Sequence, residues 1–311
     1  MEDFTQELVE VLKGMTDPGI RVISMEVTKV NDQTSKAISL VRPELNVSRL
    51  FYPREYYEEY CRGKSIAEIA EKILETFQDD AMRAELELRI GILNPFDFES
   101  VKYQLYCRLL NLDRNRKYLE NKCYLEWLDF AVCFYIMAES REDRRTIMNV
   151  TSDLFHTWEV SKDELLETAL ENLCNDYPAK IEDVKKVLER YICSLENPED
   201  FAGYMNLPDF PDGMSMHVLT NGMCEDGVIV ICYPDVLKKF AEEQGVDEVI
   251  IFPSSLHEII LVPKQKGQEM DAEYCSQIIR EINTANLLPE EVLGDHAYIY
   301  CRKSNQIKIF R

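Results

Sequence analysis

Apolar positions along this chain recur in two rhythms, and each rhythm predicts its own kind of element. In SIAEIAEKILETF, Ile66, Ile69, Ile73 and Phe77 fall at helical spacing. Ser65 stands where an N-cap belongs, and Glu68 can reach back to close a capping box. The same device recurs in SKDELLETALENL, where Ser161 and Glu164 bracket the first turn and Leu165, Ala169 and Leu173 follow. IEDVKKVLERYICSL sets Ile181, Val184, Leu188, Tyr191 and Leu195 on one helical face, and EYCSQIIREIN does so with Tyr274, Ile278 and Ile282. YPDVLKKFAEEQG begins with Pro234, which suits the first helical position, and ends at Gly245, which suits the C-terminal cap. A further helix is expected over about Phe4 to Leu12.

Strands lie between these helices. RVISMEVTKV and SKAISLV flank VNDQT, a hairpin with Asn31 and Asp32 in its turn. VKYQLYCRLL alternates Tyr103, Leu105, Cys107 and Leu109 against Lys102, Gln104 and Arg108. EWLDFAVCFYIM is apolar almost throughout, as in a strand buried on both faces. Three more hairpins are expected: MSMHVLT with VIVICY around NGMCEDG, EVIIF with HEIILV around PSSL, and AYIYC with QIKIF around RKSN.

Hairpin followed by helix therefore recurs at 20–60, 126–173, 215–244 and 248–284, without a sequence repeat. Connections this short do not suit parallel crossovers, so the pattern predicts an α+β protein with mainly antiparallel sheets and helices packed on one face. The charged stretch 78–98 and the proline-rich LENPEDFAGYMNLPDFPDGMS at 195–215 are the expected boundaries. They suggest three regions: 1–85, 86–200 and 201–311.

Composition narrows the function classes. Apolar residues at 46% and charged residues at 30% are an ordinary globular balance. The charge is not ordinary: 35 basic against 57 acidic residues give a net −22, which repels phosphate backbones and argues against nucleic acid as a partner. Charge alone also raises the idea of an acidic mimic of nucleic acid, which predicts carboxylates in a stripe on one face. Ten cysteines lie without a CxxC pair, several inside apolar runs, the habit of small buried hydrophobes in a reducing compartment. The acidic, amphipathic MEDFTQELVEVL does not resemble a signal peptide, and no apolar run approaches the ~20 residues that cross a bilayer. A cytoplasmic protein without membrane partners is the expectation.

FPSSLHEIILVP, residues 252 to 263, carries the densest candidate chemistry: Ser254, Ser255, His257 and Glu258. A serine nucleophile needs its base within ~3 Å and the base oriented by a third group. Along a strand Ser255 and His257 share a face but stand ~6.6 Å apart, while Glu258 points the other way. Pro253 suits a type I turn whose serines bond local backbone, so a turn is the favoured reading. Asp295 and His296, at a strand entry, are a second weak acid/base candidate. His217, Cys224 and Cys232 lack zinc-ligand spacing, and neither a calcium loop nor a phosphate-cradling glycine motif is present, so no metal or cofactor is expected. In FYPREYYEEY, Tyr52, Tyr56, Tyr57 and Tyr60 form an aromatic group suited to a protein interface, although lining the core is the favoured reading, and Asn221 is a weak binding candidate in NGMCEDG.

The segments NVSRLFYPREYYEEY, YLEWLDFAVCFYIM, DLFHTWEVSKDELLETALENL, VLTNGMCEDGVIVICYPDVLKKFA and FPSSLHEIILVP occur in an order similar to that of domain of unknown function 5688, a family of gut-dwelling anaerobic Gram-positive bacteria. The resemblance spans about residues 20 to 300, with PSSLHE its most specific mark. It implies a full-length bacterial cytoplasmic protein and supplies no activity, cofactor or catalytic residue. The residues themselves favour a non-catalytic binding or regulatory protein with an unknown protein or small-molecule partner. The alternative is a hydrolase that completes the 254–258 strip with a residue from elsewhere.

Overall fold

The computed structural model describes residues 1–42, 47–90, 94–141, 144–194 and 215–311, in two units, Met1–Asn94 and Pro95–Arg311. The proline-rich stretch expected as a linker, and Leu195 of the adjoining helical stripe, lie outside the described residues.

In the first unit, helix α1 (Glu2–Met15) leads into strands β1 (Arg21–Thr28), β2 (Thr34–Arg42) and β3 (Val47–Phe51), followed by α2 (Pro53–Cys61) and α3 (Ile66–Ile90). The strands form one antiparallel sheet in the order β1-β2-β3. Its first hairpin reverses at Asn31 (φ 57°) and Asp32 (φ 51°), residue types that tolerate the left-handed region. The Ser65–Glu68 capping box forms as read: the Glu68 N–H donates to Ser65 Oγ at 3.3 Å, and the Ser65 N–H donates to Glu68 Oε2 at 2.8 Å. Leu8 and Leu12 of α1, Ile38 and Leu40 of β2, and Ile69, Ile73 and Phe77 of α3 make a fully buried core. The stretch 78–90, part of a charged segment expected as a boundary, continues α3 instead. DDAMRAELELRI is rich in Ala, Leu, Glu and Arg, strong helix formers, so charge there does not end the helix.

The second unit begins with α4 (Phe98–Val101), β4 (Leu105–Asn111), β5 (Tyr124–Trp127), β6 (Phe130–Arg141) and β7 (Arg144–Asn149). There β6 holds β4 along one edge and β5, then β7, along the other. EWLDFAVCFYIM is thus two strands, because the chain reverses at Leu128 (φ 56°) and Asp129; from Phe130 to Met137 the strand is buried on both faces as expected. Residues Lys102–Gln104 form a 3-10 turn, and β4 is buried throughout, Arg108 included, so the expected alternation across 102–109 does not appear. Both faces of β4 are covered, which removes the polar side that alternation needs.

Helices α5 (Ser152–Thr157) and α6 (Lys162–Asp176) precede β8 (Ala179–Asp183), α7 (Val184–Ser194), β9 (His217–Asn221) and α8 (Val236–Glu243). Then follow β10 (Glu248–Phe252), β11 (Ile259–Lys264), α9 (Ala272–Asn286), β12 (Tyr298–Cys301) and β13 (Gln306–Ile309). These strands build a six-stranded antiparallel sheet in the order β13-β12-β10-β11-β9-β8. The β10–β11 and β12–β13 hairpins are where the sequence places them. Helix α9 packs on one face, where Cys275 and Ile279 meet Ile250, Phe252 and Val262. On the opposite face Tyr298 meets Phe130 at 5.0 Å between ring centroids, and His217 meets Phe240 of α8 at 5.0 Å.

Local expectations fail at three places here. Ile181 lies on a strand rather than a helix: AKIED pairs with β9, and Asp183 Oδ1 accepts the Lys185 N–H at 2.8 Å where α7 begins. Pro234 falls just outside α8, whose N-cap Asp235 is left-handed (φ 59°). Most consequential, VIVICY does not pair with MSMHVLT. Gly227–Cys232 is a buried 3-10 segment, because β11 and β8 already occupy both edges of β9. Gly227 passes so close to the chain that a Cβ there would lie 2.2 Å from both the His257 carbonyl oxygen and Thr220 Oγ1.

Candidate functional site

The turn from Pro253 to Glu258 joins β10 to β11, and its polar side chains bond to backbone. Ser255 Oγ accepts the N–H groups of His257 at 3.0 Å and Glu258 at 3.3 Å, while the Ser255 N–H donates to the Glu258 carbonyl at 3.0 Å. The His257 ring turns toward the 221–227 loop, where Nδ1 accepts the Asp226 N–H at 3.3 Å. Thr220 Oγ1 donates to the His257 carbonyl at 2.7 Å. Among the described residues no hydroxyl or carboxylate hydrogen-bonds to the His257 ring. Ser254, Ser255, His257 and Glu258 therefore stand together without forming a nucleophile, base and orienting acid.

Asp295 and His296 do not pair with each other. Asp295 takes Arg114 Nη2 at 2.6 Å and Asn283 Nδ2 at 3.2 Å. His296 Nε2 lies 3.3 Å from Asp129 Oδ2 but off the hydrogen-bonding line, and Tyr298 donates to Asp129 at 2.8 and 2.9 Å. Both residues border an open polar cleft of about 800 Å³ that also holds Asp271, Glu273 and Arg280. Among the described residues no hydrogen bond joins this group to the 254–258 turn.

The remaining sequence candidates serve local structure. Asn221 is buried, and its amide is spent on its own loop: Nδ2 donates to the Glu225 carbonyl at 2.7 Å and Oδ1 accepts the Met223 N–H at 3.0 Å. In the first unit Tyr56 and Tyr57 pack against the core, and Phe4 stands 5.4 Å from Tyr57 and 4.8 Å from Tyr60 between ring centroids. Tyr52 lies under Lys29 Nζ at 3.6 Å. Burial pushes the Cys133 thiol up to about 12 and the Cys275 thiol up to about 11, so neither supplies a thiolate near neutral pH. Among the described residues no cluster of His, Cys, Asp or Glu is arranged to hold a metal ion, and no helix is long and apolar enough to cross a membrane.

One concavity brings together groups that the sequence does not connect. It lies on the α9 face of the six-stranded sheet, between α7 and α9, and encloses about 220 Å³. Val184 and Leu188 of α7, Val218 of β9, Phe252 of β10, Ile260 of β11, and Ile279 and Ile282 of α9 give it apolar walls. Ser254, Glu258, Asn283 and Asn286 supply the polar atoms. Alternation along the strand that carries His257 toward Asp226 carries Glu258 and Ile260 to this side. Burial raises the Glu258 carboxyl above its ordinary value, partly offset by the neighbouring His257.

Of these lining residues, only Ser254 and Glu258 stand among the sequence-derived candidates. Asn283 was detectable in principle: the buried side of α9 runs through Cys275 and Ile279, and Asn283 continues that stripe at the next four-residue step. A polar residue on an apolar stripe is the signal. Of the stripe read from Tyr274, Ile278 is buried and Ile282 lines the cleft, while Tyr274 itself is 49% exposed.

The chain matches, over residues 1–302, a family of unknown function (DUF5688), and it belongs to that family. No curated protein and no solved structure matches it.

Proposed function

We propose that this member of a family without an assigned activity is a non-catalytic binding protein, and that its ligand is a small, largely apolar molecule held in the cleft between α7, α9 and the sheet. The observation that carries the reading is the cleft itself: apolar walls from five separate elements converge on a few polar atoms. Ligand sites have that composition. Its volume of about 220 Å³ is below the usual range of roughly 300–1,000 Å³ for drug-sized ligands, so the occupant is correspondingly small. The hydrolase alternative has less support, because the Ser255 hydroxyl and His257 ring are both engaged by backbone N–H groups.

The setting proposed for this binding is the bacterial cytoplasm. Free cysteines, several of them buried, fit a reducing compartment, and the net charge of −22 disfavours nucleic acid as the partner. Ligand-detected NMR on the full chain with small hydrocarbon-bodied alcohols, amines and acids tests the reading. Binding by at least one class is expected, lost when Ile260→Trp fills the cleft in a chain that still melts cooperatively. Binding by none of the classes, or binding that survives Ile260→Trp, overturns it.

A further inference from the structure

Two acceptors without partners lie at the cleft wall. The Glu258 carboxylate has no hydrogen-bond or ion-pair partner among the described residues, and the residue is half-buried at the cleft wall. Asn283 Oδ1 is a second buried acceptor with no hydrogen-bond partner. Its orientation is set by the other end of the amide, since Nδ2 donates to the Gly294 carbonyl at 2.9 Å and to Asp295 Oδ1 at 3.2 Å. Exchanging O for N would point a carbonyl at two acceptors. The cleft thus presents one unmet carboxylate, the Asn283 oxygen lying buried in its wall, while Ser254 Oγ can serve in either sense. Among the described residues no lysine or arginine lines it.

We infer that the ligand is a small apolar amine, whose ammonium is held by the Glu258 carboxylate while its hydrocarbon body lies against Phe252, Ile260 and Ile279. This rests on the cleft being a ligand site and adds the chemical class of its occupant. A ligand anion would face a carboxylate in a poorly solvated site and be repelled. A neutral molecule would leave that carboxylate buried without a countercharge, a costly arrangement. An ammonium carries three donors and no acceptor, the complement of what the walls offer. The net charge of −22 also enriches small cations near the surface. In the free protein the raised Glu258 carboxyl fits the same picture, because without a cation burial favours the protonated form.

The test compares three molecules of one shape on the full chain: cyclohexylmethylamine, cyclohexylmethanol and cyclohexanecarboxylate. The amine is expected to bind at least about tenfold more tightly than the alcohol, and the carboxylate not at all. Glu258→Gln is expected to reduce amine binding by about tenfold or more while leaving the alcohol within about twofold. Thermal melting of that variant checks that it folds. Equal binding of amine and alcohol, or an amine preference that survives Glu258→Gln, overturns the inference and leaves the cleft as a site for neutral ligands. Binding by none of the three overturns the cleft reading and this inference with it.

Discussion

The side chain of Ser255 bonds to the backbone of His257, not to its ring: Oγ accepts the His257 N–H at 3.0 Å. With the Glu258 N–H also directed at Oγ, the serine holds the turn that aims His257 to one side of the sheet and Glu258 to the other.

That arrangement makes Ser255 structural. Ser255→Ala should lower stability by about 1–3 kcal/mol, since it strands two N–H groups in a largely buried turn. Ser254→Ala, whose hydroxyl is not committed to that network, should change stability by less than about 0.5 kcal/mol. Thermal melting of the two variants side by side measures the difference, and equal losses would refute the assignment.

Glu258 should act in the opposite direction. Its carboxyl lies above the ordinary value of 4.5 in the folded chain, so the folded state holds the proton more tightly than the unfolded one. The associated stability is complete below that ordinary value and is lost as pH rises through the folded value. Glu258→Gln should therefore melt higher than the parent chain near pH 7.5, with the gap closing toward about pH 4. Melting curves across that window decide the sign.

Gly227 and Gly14 should respond in opposite ways to the same change. A Cβ at Gly227 would press on the His257 carbonyl and Thr220 Oγ1 at 2.2 Å, whereas one at Gly14 meets nothing within 4 Å. Gly227→Ala should cost about 3 kcal/mol or more through overpacking. Gly14→Ala, inside α1, should be neutral or stabilise by up to about 1 kcal/mol. Chemical denaturation of both variants tests this.

The Tyr298–Asp129 contact joins the six-stranded sheet to the β5–β6 turn within the second unit. Tyr298→Phe should cost about 1–3 kcal/mol, because a half-buried carboxylate loses its phenol donor. If the pair acts as a unit, the double variant Tyr298→Phe with Asp129→Asn should lose less in total than the two single losses combined. A double-mutant cycle by thermal melting measures that coupling.

By itself the sequence determined what local interactions can encode. The Ser65–Glu68 box, the Asn31–Asp32 turn, the β10–β11 and β12–β13 hairpins and the antiparallel α+β character all depend on neighbours a few residues apart. Alternation alone separated His257 from Glu258. Only the tertiary structure decided which edges of β9 were taken, and so why VIVIC, with every apolar mark of a strand, became a 3-10 segment. It likewise gathered Val184, Val218, Glu258 and Asn283 around one cleft. Those outcomes depend on pairing and burial between segments up to about a hundred residues apart in the chain. Hydrophobic periodicity states that such a face is buried, but not which distant surface buries it.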